Sequence, residues 1–195
     1  MSTINEYQSN NKEIYEELRR NRSNLKDQVE LVASLYDQIQ EVHNSNIKQS
    51  IDNIGKNDIC FLKSFTKPPI TLLKSMEVVL ILLDQIKNPD NPWLDIKIMV
   101  NDINFYQKLI NIDVANLTIE KVDQVTNILQ NELLTKDKLA LISINLPMLM
   151  VQWAESVIYS FKVQNEQNLI LNNHLKADQD LSRLIEIQDK QFLDD

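Results

Sequence analysis

The chain has 195 residues, enough for one ordinary domain or a small domain with extensions. Its 20 Lys plus Arg against 28 Asp plus Glu leave a net charge of −8, which argues against nucleic acid and anionic membrane as main partners. A single glycine, Gly55, excludes most tight β-turns and any Gly-rich phosphate loop, so the expected fold class is all-α with long helices and few connections.

The first predicted element is a helical arm over residues 1–57. With position a at Tyr15, Arg22, Val29, Tyr36 and His43, position d falls at Leu18, Leu25, Val32, Ile39 and Asn46, the spacing of a coiled-coil seam. The seam weakens toward Ile47, Ile51 and Ile54, and Gly55 marks a break. A helix of that length cannot bury its stripe alone and needs a partner. The return arm, residues 164–195, supplies one: Val157, Leu171, Leu175, Leu181, Ile185 and Phe192 recur from Trp153 onward, with Asp178 and Gln188 on or near the stripe. The two arms can pair as an antiparallel hairpin within one chain or associate between chains.

Between them, residues 58–163 read as five or six short helices forming a head. Pro69 suits a first helical turn, and Ile70–Leu83 is apolar on most faces, as a central helix requires. Asn88–Trp93 is a loop ending in a helix start, and Trp93, Ile96, Ile98 and Met99 open the next helix. Phe105, Leu109 and Ile112 mark another stretch. Thr118 precedes Ile119–Leu129, where Val122, Val125 and Leu129 keep helical spacing. Thr135 or Asp137 suits the cap of a last helix, with a kink or new start near Pro147.

Catalytic signatures are missing. Cys60 is the only cysteine, which excludes an internal disulfide and fits a reducing compartment. His43 and His174 fall at seam positions of opposite arms, without metal-ligand spacing, and read as polar residues that set register. Carboxylates are scattered over predicted solvent faces. No enzyme, metal or cofactor is expected, and there is no apolar run long enough for a membrane span.

The segment Phe61–Leu83 resembles the tip of the dynein heavy-chain stalk. The pattern is Ser64 before Pro68 and Pro69, then an apolar helix with Glu77 inside it and Leu82 and Leu83 at its end. Trp93 with Ile96 and Val100 follows, then Phe105, Leu109, Asp113, Asn116 and Leu117, and finally Ser143, Leu149, Val151, Trp153 and Ala154. The resemblance covers roughly Asp58 to Leu175. It implies a small helical head on an antiparallel two-helix coiled-coil arm, binding the acidic outer surface of tubulin through lysines; Lys67, Lys74, Lys136 and Lys138 are the positions it points to. The chain departs from the family in having no arginine in 61–170, where 10 Lys stand against 12 Asp plus Glu, and in reading Asn168-Leu169-Ile170 where the family has a kink proline. Met1 with a polar leader and short arms suggest a free-standing, motorless relative. The expected function is a non-enzymatic, microtubule-associated structural protein of the cytoskeleton in a cilium or flagellum, with tubulin or axonemal proteins as partners. The alternative is a coiled-coil scaffold that docks another protein without touching tubulin.

Overall fold

A computed structural model describes residues 2–142 and 144–193, with side chains from Glu13 onward apart from Tyr15, 143, 188, 189 and 191–193. Tyr15, Ser143, Gln188 and Phe192 therefore lie outside the described side chains. The protein is all-α, as the near absence of glycine dictates. The elements are α1 (Ser2–Asp52), α2 (Lys56–Ser64), α3 (Ile70–Leu82), α4 (Pro92–Asn101), α5 (Phe105–Ile110), α6 (Ile119–Leu129), α7 (Lys136–Ala140) and α8 (Leu146–Leu193). Two 3-10 turns, Val114–Asn116 and Glu132–Leu134, join them.

The chain divides into two compact units, Met1–Ile39 with Gln164–Asp195 and Gln40–Val163. The second unit thus begins within α1, because Ile47, Ile51 and Ile54 are buried in its core.

In the first unit α1 and α8 pair antiparallel within one chain. Arg22 meets Asp178, whereas Asp37, further along α1, meets Gln167, earlier on α8. The half-buried residues of this part of α1 include Leu18, Arg22, Leu25, Val29, Val32 and Tyr36, as the heptad predicts. After Tyr36 the prediction holds at His43, which is half-buried, and fails at the two remaining d positions. Ile39 and Asn46 are exposed, and Gln40 and Ile47 face inward instead. The steps Val32 to Tyr36 to Gln40 are both four residues, which moves the inward stripe by one position because 3.6 residues per turn does not match a strict 3.5 repeat. On α8 the inward residues are Gln164, Gln167, Leu171, His174, Asp178, Leu181 and Ile185, alternating steps of three and four. Leu175, expected on this seam, is exposed, and His174 holds the position. Burial follows the angle around the helix, and the apolar neighbour lies one residue off that angle.

The seam of the first unit is held in register by a bidentate ion pair. Arg22 Nε donates to Asp178 Oδ1 at 2.6 Å and Nη2 to Oδ2 at 2.9 Å. The Arg22 hydrogen bonds hold the Asp178 carboxyl below its ordinary pKa against the opposing effect of burial. Reversing one charge, Asp178→Arg, is expected to set two guanidinium groups against each other and lower the thermal midpoint of helix loss at 222 nm. Adding Arg22→Asp is expected to restore it, since the swapped pair keeps the planar fork geometry. A single variant as stable as the wild type would show that the pair does not set the register.

In the second unit α3 is the centre. Leu72, Ser75, Met76 and Val78–Leu82 are all buried, and α3 packs against α4, α6 and the 132–134 turn. Ser75 avoids an orphaned hydroxyl by donating to the Leu72 carbonyl at 2.9 Å. Gly55 precedes α2, its N–H donating to Asp58 Oδ2 at 3.1 Å. Thr118 caps α6, its hydroxyl accepting from the Lys121 N–H at 3.3 Å. Pro147 lies in the first turn of α8, so it marks a start rather than a kink.

Candidate functional site

The four lysines are distributed over three places in the second unit. Lys67 is exposed in the connection after α2, beside the Pro68–Pro69 step. Lys74 is half-buried on α3 and spends its charge locally, pairing with Glu77 one turn on at 2.6 Å. Lys136 and Lys138 are exposed on α7, which follows the 132–134 turn directly and packs against it. Being two apart, they project about 200° apart around the helix axis. Among the described residues no hydrogen bond or ion pair joins any of the four to another. Of the four, Lys74 alone has an ion-pair partner among the described residues, so Lys67, Lys136 and Lys138 are the three exposed lysines left to offer charge outward.

Two tryptophans and one carboxylate tie the elements of the second unit together. Trp153, near the start of α8, is fully buried, and its indole N–H donates to the Leu109 carbonyl at the end of α5 at 3.2 Å. Trp93, second in α4, is half-buried and donates to the Phe65 carbonyl at 3.3 Å, tying α4 to the segment that carries Lys67. Each indole thus buries its ring and satisfies its donor on a backbone group, as a buried Trp requires. Asp95 on α4 is buried and organises the loop after α3. Its Oδ2 accepts from the Lys87 and Asn88 N–H groups, both at 2.7 Å, and its Oδ1 accepts from Asn88 Nδ2 at 2.6 Å. Burial pushes this carboxyl up, but the backbone and side-chain hydrogen bonds of Asn88 and the Lys87 N–H outweigh it, and the net direction is down.

Sequence reasoning missed Asp95, because an acidic residue in a helix reads as solvent-facing until the loop it bonds is known. The end of α3 at Leu82 was legible, but the device that stops it was not. Asp84 adopts φ 55°, with Asp84 N–H donating to the Ile81 carbonyl and Gln85 N–H to Leu80. That is a Schellman-type stop with aspartate where glycine is usual. The Asp84 carboxylate is held by Lys121 of α6 at 2.5 Å. Only the scarcity of glycine hinted that another residue would have to take this role.

His43 stacks on Tyr159 with ring centroids 4.0 Å apart, and its Nδ1 has no hydrogen-bond partner among the described residues. Cys60 is exposed, with neither histidine bonded to it among the described residues. Among the described residues no group of three His, Cys, Asp or Glu is placed to hold a metal ion, and no helix is long and apolar enough to cross a membrane.

No known protein family matches the chain, and no curated protein does so either.

Proposed function

We propose that this chain is a non-enzymatic, microtubule-associated structural protein of the ciliary axoneme, using a dynein-stalk-like head without a motor. The observation that carries the reading is the arrangement around α3. The Pro68–Pro69 step leads into a helix buried along most of its length, Trp93 opens the helix packed against it, and Trp153 is buried near the start of the returning α8. These are the landmarks on which the resemblance rests, and each takes a structural role in one unit. Lys67, Lys136 and Lys138 then offer positive charge to an acidic lattice, with Lys74 a weaker contributor because Glu77 partly neutralises it.

The test is co-sedimentation with microtubules across a salt series, with a Lys74→Glu/Lys138→Glu variant alongside. Pelleting at low salt that declines with added salt and falls at least about fivefold in the variant is expected, since charge contacts on an exposed surface are screened. Absence of pelleting at low salt would overturn the reading. The second reading, a coiled-coil scaffold, is favoured by exposed aliphatic residues of the first unit, Leu31 and Leu35 on α1 and Leu175, Leu184 and Ile187 on α8. Association through such a surface would persist at high salt.

A further inference from the structure

The outward face of α4 is apolar where a solvent-facing helix surface is normally charged. Asp95, Ile96, Met99 and Val100 turn inward and are buried. The residues left for the outside are Trp93, Leu94, Lys97, Ile98 and Asn101, an arc of about 140° at 100° per residue. Leu94 and Ile98, one turn apart, are 45% and 52% exposed, and Ile103 just past the helix is 93% exposed. The surface continues onto α2. The Phe65 carbonyl accepts the Trp93 indole N–H, and Phe61, 41% exposed, meets the Phe65 ring edge-on at 5.1 Å between centroids.

Within α4 the charge of this face is positive. The only carboxylate of α4, Asp95, is turned into the loop 87–88, whereas the Lys97 ammonium lies 5.6 Å from the centre of the Trp93 ring. Lys97 forms no ion pair among the described residues. Asp90, before the helix, is exposed, and Asp102, just past it, is paired with Lys108 at 2.6 Å, so within α4 itself the aromatic and aliphatic strip carries a lysine and no outward carboxylate.

We propose that this face of α4, with Phe61 and Phe65, is a docking surface for an acidic amphipathic helix of a partner protein. Aliphatic residues repeating at three and four would lie along Leu94, Ile98 and the half-buried Trp93, ridge against groove, and flanking glutamates or aspartates would meet Lys97. Trp is the residue type most enriched where binding energy concentrates, and its low conformational freedom makes it a ready anchor. A basic helix would meet Lys97 with like charge and gain less. This inference does not rest on the tubulin reading: none of Lys67, Lys74, Lys136 and Lys138 is used in it, although Lys67 lies two residues from Phe65.

The molecule carries its own reporter. Of its two tryptophans Trp153 is fully buried, so acrylamide quenching of the folded chain reads mainly Trp93. The experiment titrates the full chain with two synthetic helical peptides of about 18 residues, long enough for five turns. Both carry leucine at alternating three- and four-residue spacing, one flanked by Glu and the other by Lys. The Glu peptide is expected to shield Trp93 from acrylamide and the Lys peptide to shield it at least about tenfold more weakly. A Leu94→Ser/Ile98→Ser variant, checked for unchanged helix content, is expected to bind the Glu peptide at least about tenfold more weakly. Equal shielding by both peptides, shielding by neither, or an unaffected variant would overturn the proposal. Sedimentation velocity run alongside covers the remaining occupant: a dimer of the chain that the same variant dissolves would give the face to a second copy and overturn the assignment to a separate partner.

Discussion

Trp153→Ala is expected to lower the unfolding free energy by about 3–5 kcal/mol, the largest effect of any single substitution argued for this chain. The ring is fully buried in the core that also holds Phe105, Leu109, Met150 and Val157. Removing it deletes a large apolar area and leaves a cavity that surrounding helices fill only in part, because interiors are close-packed and relax incompletely. It also leaves the Leu109 carbonyl without its indole donor. Trp153→Phe separates the two losses: it keeps most of the ring but not the N–H, and is expected to cost about 1–3 kcal/mol. Urea unfolding followed by far-UV circular dichroism measures both. Equal costs for the two variants would mean that the hydrogen bond, rather than the ring volume, dominates. Costs under about 1 kcal/mol for both would mean that the ring is not packed as described.

The second large effect is at Asp95. Asp95→Asn is expected to lower the thermal midpoint by roughly 5 °C or more at neutral pH, since the loop after α3 loses a charged acceptor for two N–H groups and one amide. The pH dependence gives a sharper signature. The folded carboxyl titrates below its ordinary value, so the unfolded chain binds the proton more readily than the folded one. The stability this contributes is full above the unfolded carboxyl value of about 3.9 and is lost as pH falls through the lower folded value. The gap between wild type and Asp95→Asn is therefore expected to narrow below about pH 4. A gap that stays constant between pH 7 and pH 3 would show that Asp95 acts through packing alone. Asp178, held down by Arg22, follows the same sign in the first unit.

Much of the local architecture was legible because its signals are local. Thr118 before an amphipathic run defines the start of α6, and Gly55 lies in the break between α1 and α2. Pro92 and Pro147 fall in first turns, where a missing N–H costs nothing. The apolar run of α3 announced a helix buried on most sides, which only a central position provides. The candidate lysines were legible only as residue types in a resemblance. Whether their charge is free depends on neighbours one turn away, as Glu77 beside Lys74 shows.

The sequence by itself determined that this protein is helical and where most of its helices begin. Single-residue backbone preferences and apolar periodicity act over one or two turns, and no distant contact is needed to express them. Tertiary contacts decided the inward face where the local pattern does not carry it. Ile39 is exposed and Gln40 half-buried because two successive four-residue steps shift the inward stripe of α1 there, whereas on α8 the stripe keeps its alternating steps and Leu175 lies one residue off it, beside His174. They also decided that Asp95 is buried against Lys87 and Asn88 while Leu94 and Ile98 meet solvent. That inversion arises because three hydrogen bonds satisfy the carboxylate inside, and among the described residues no packed element covers the aliphatic residues outside.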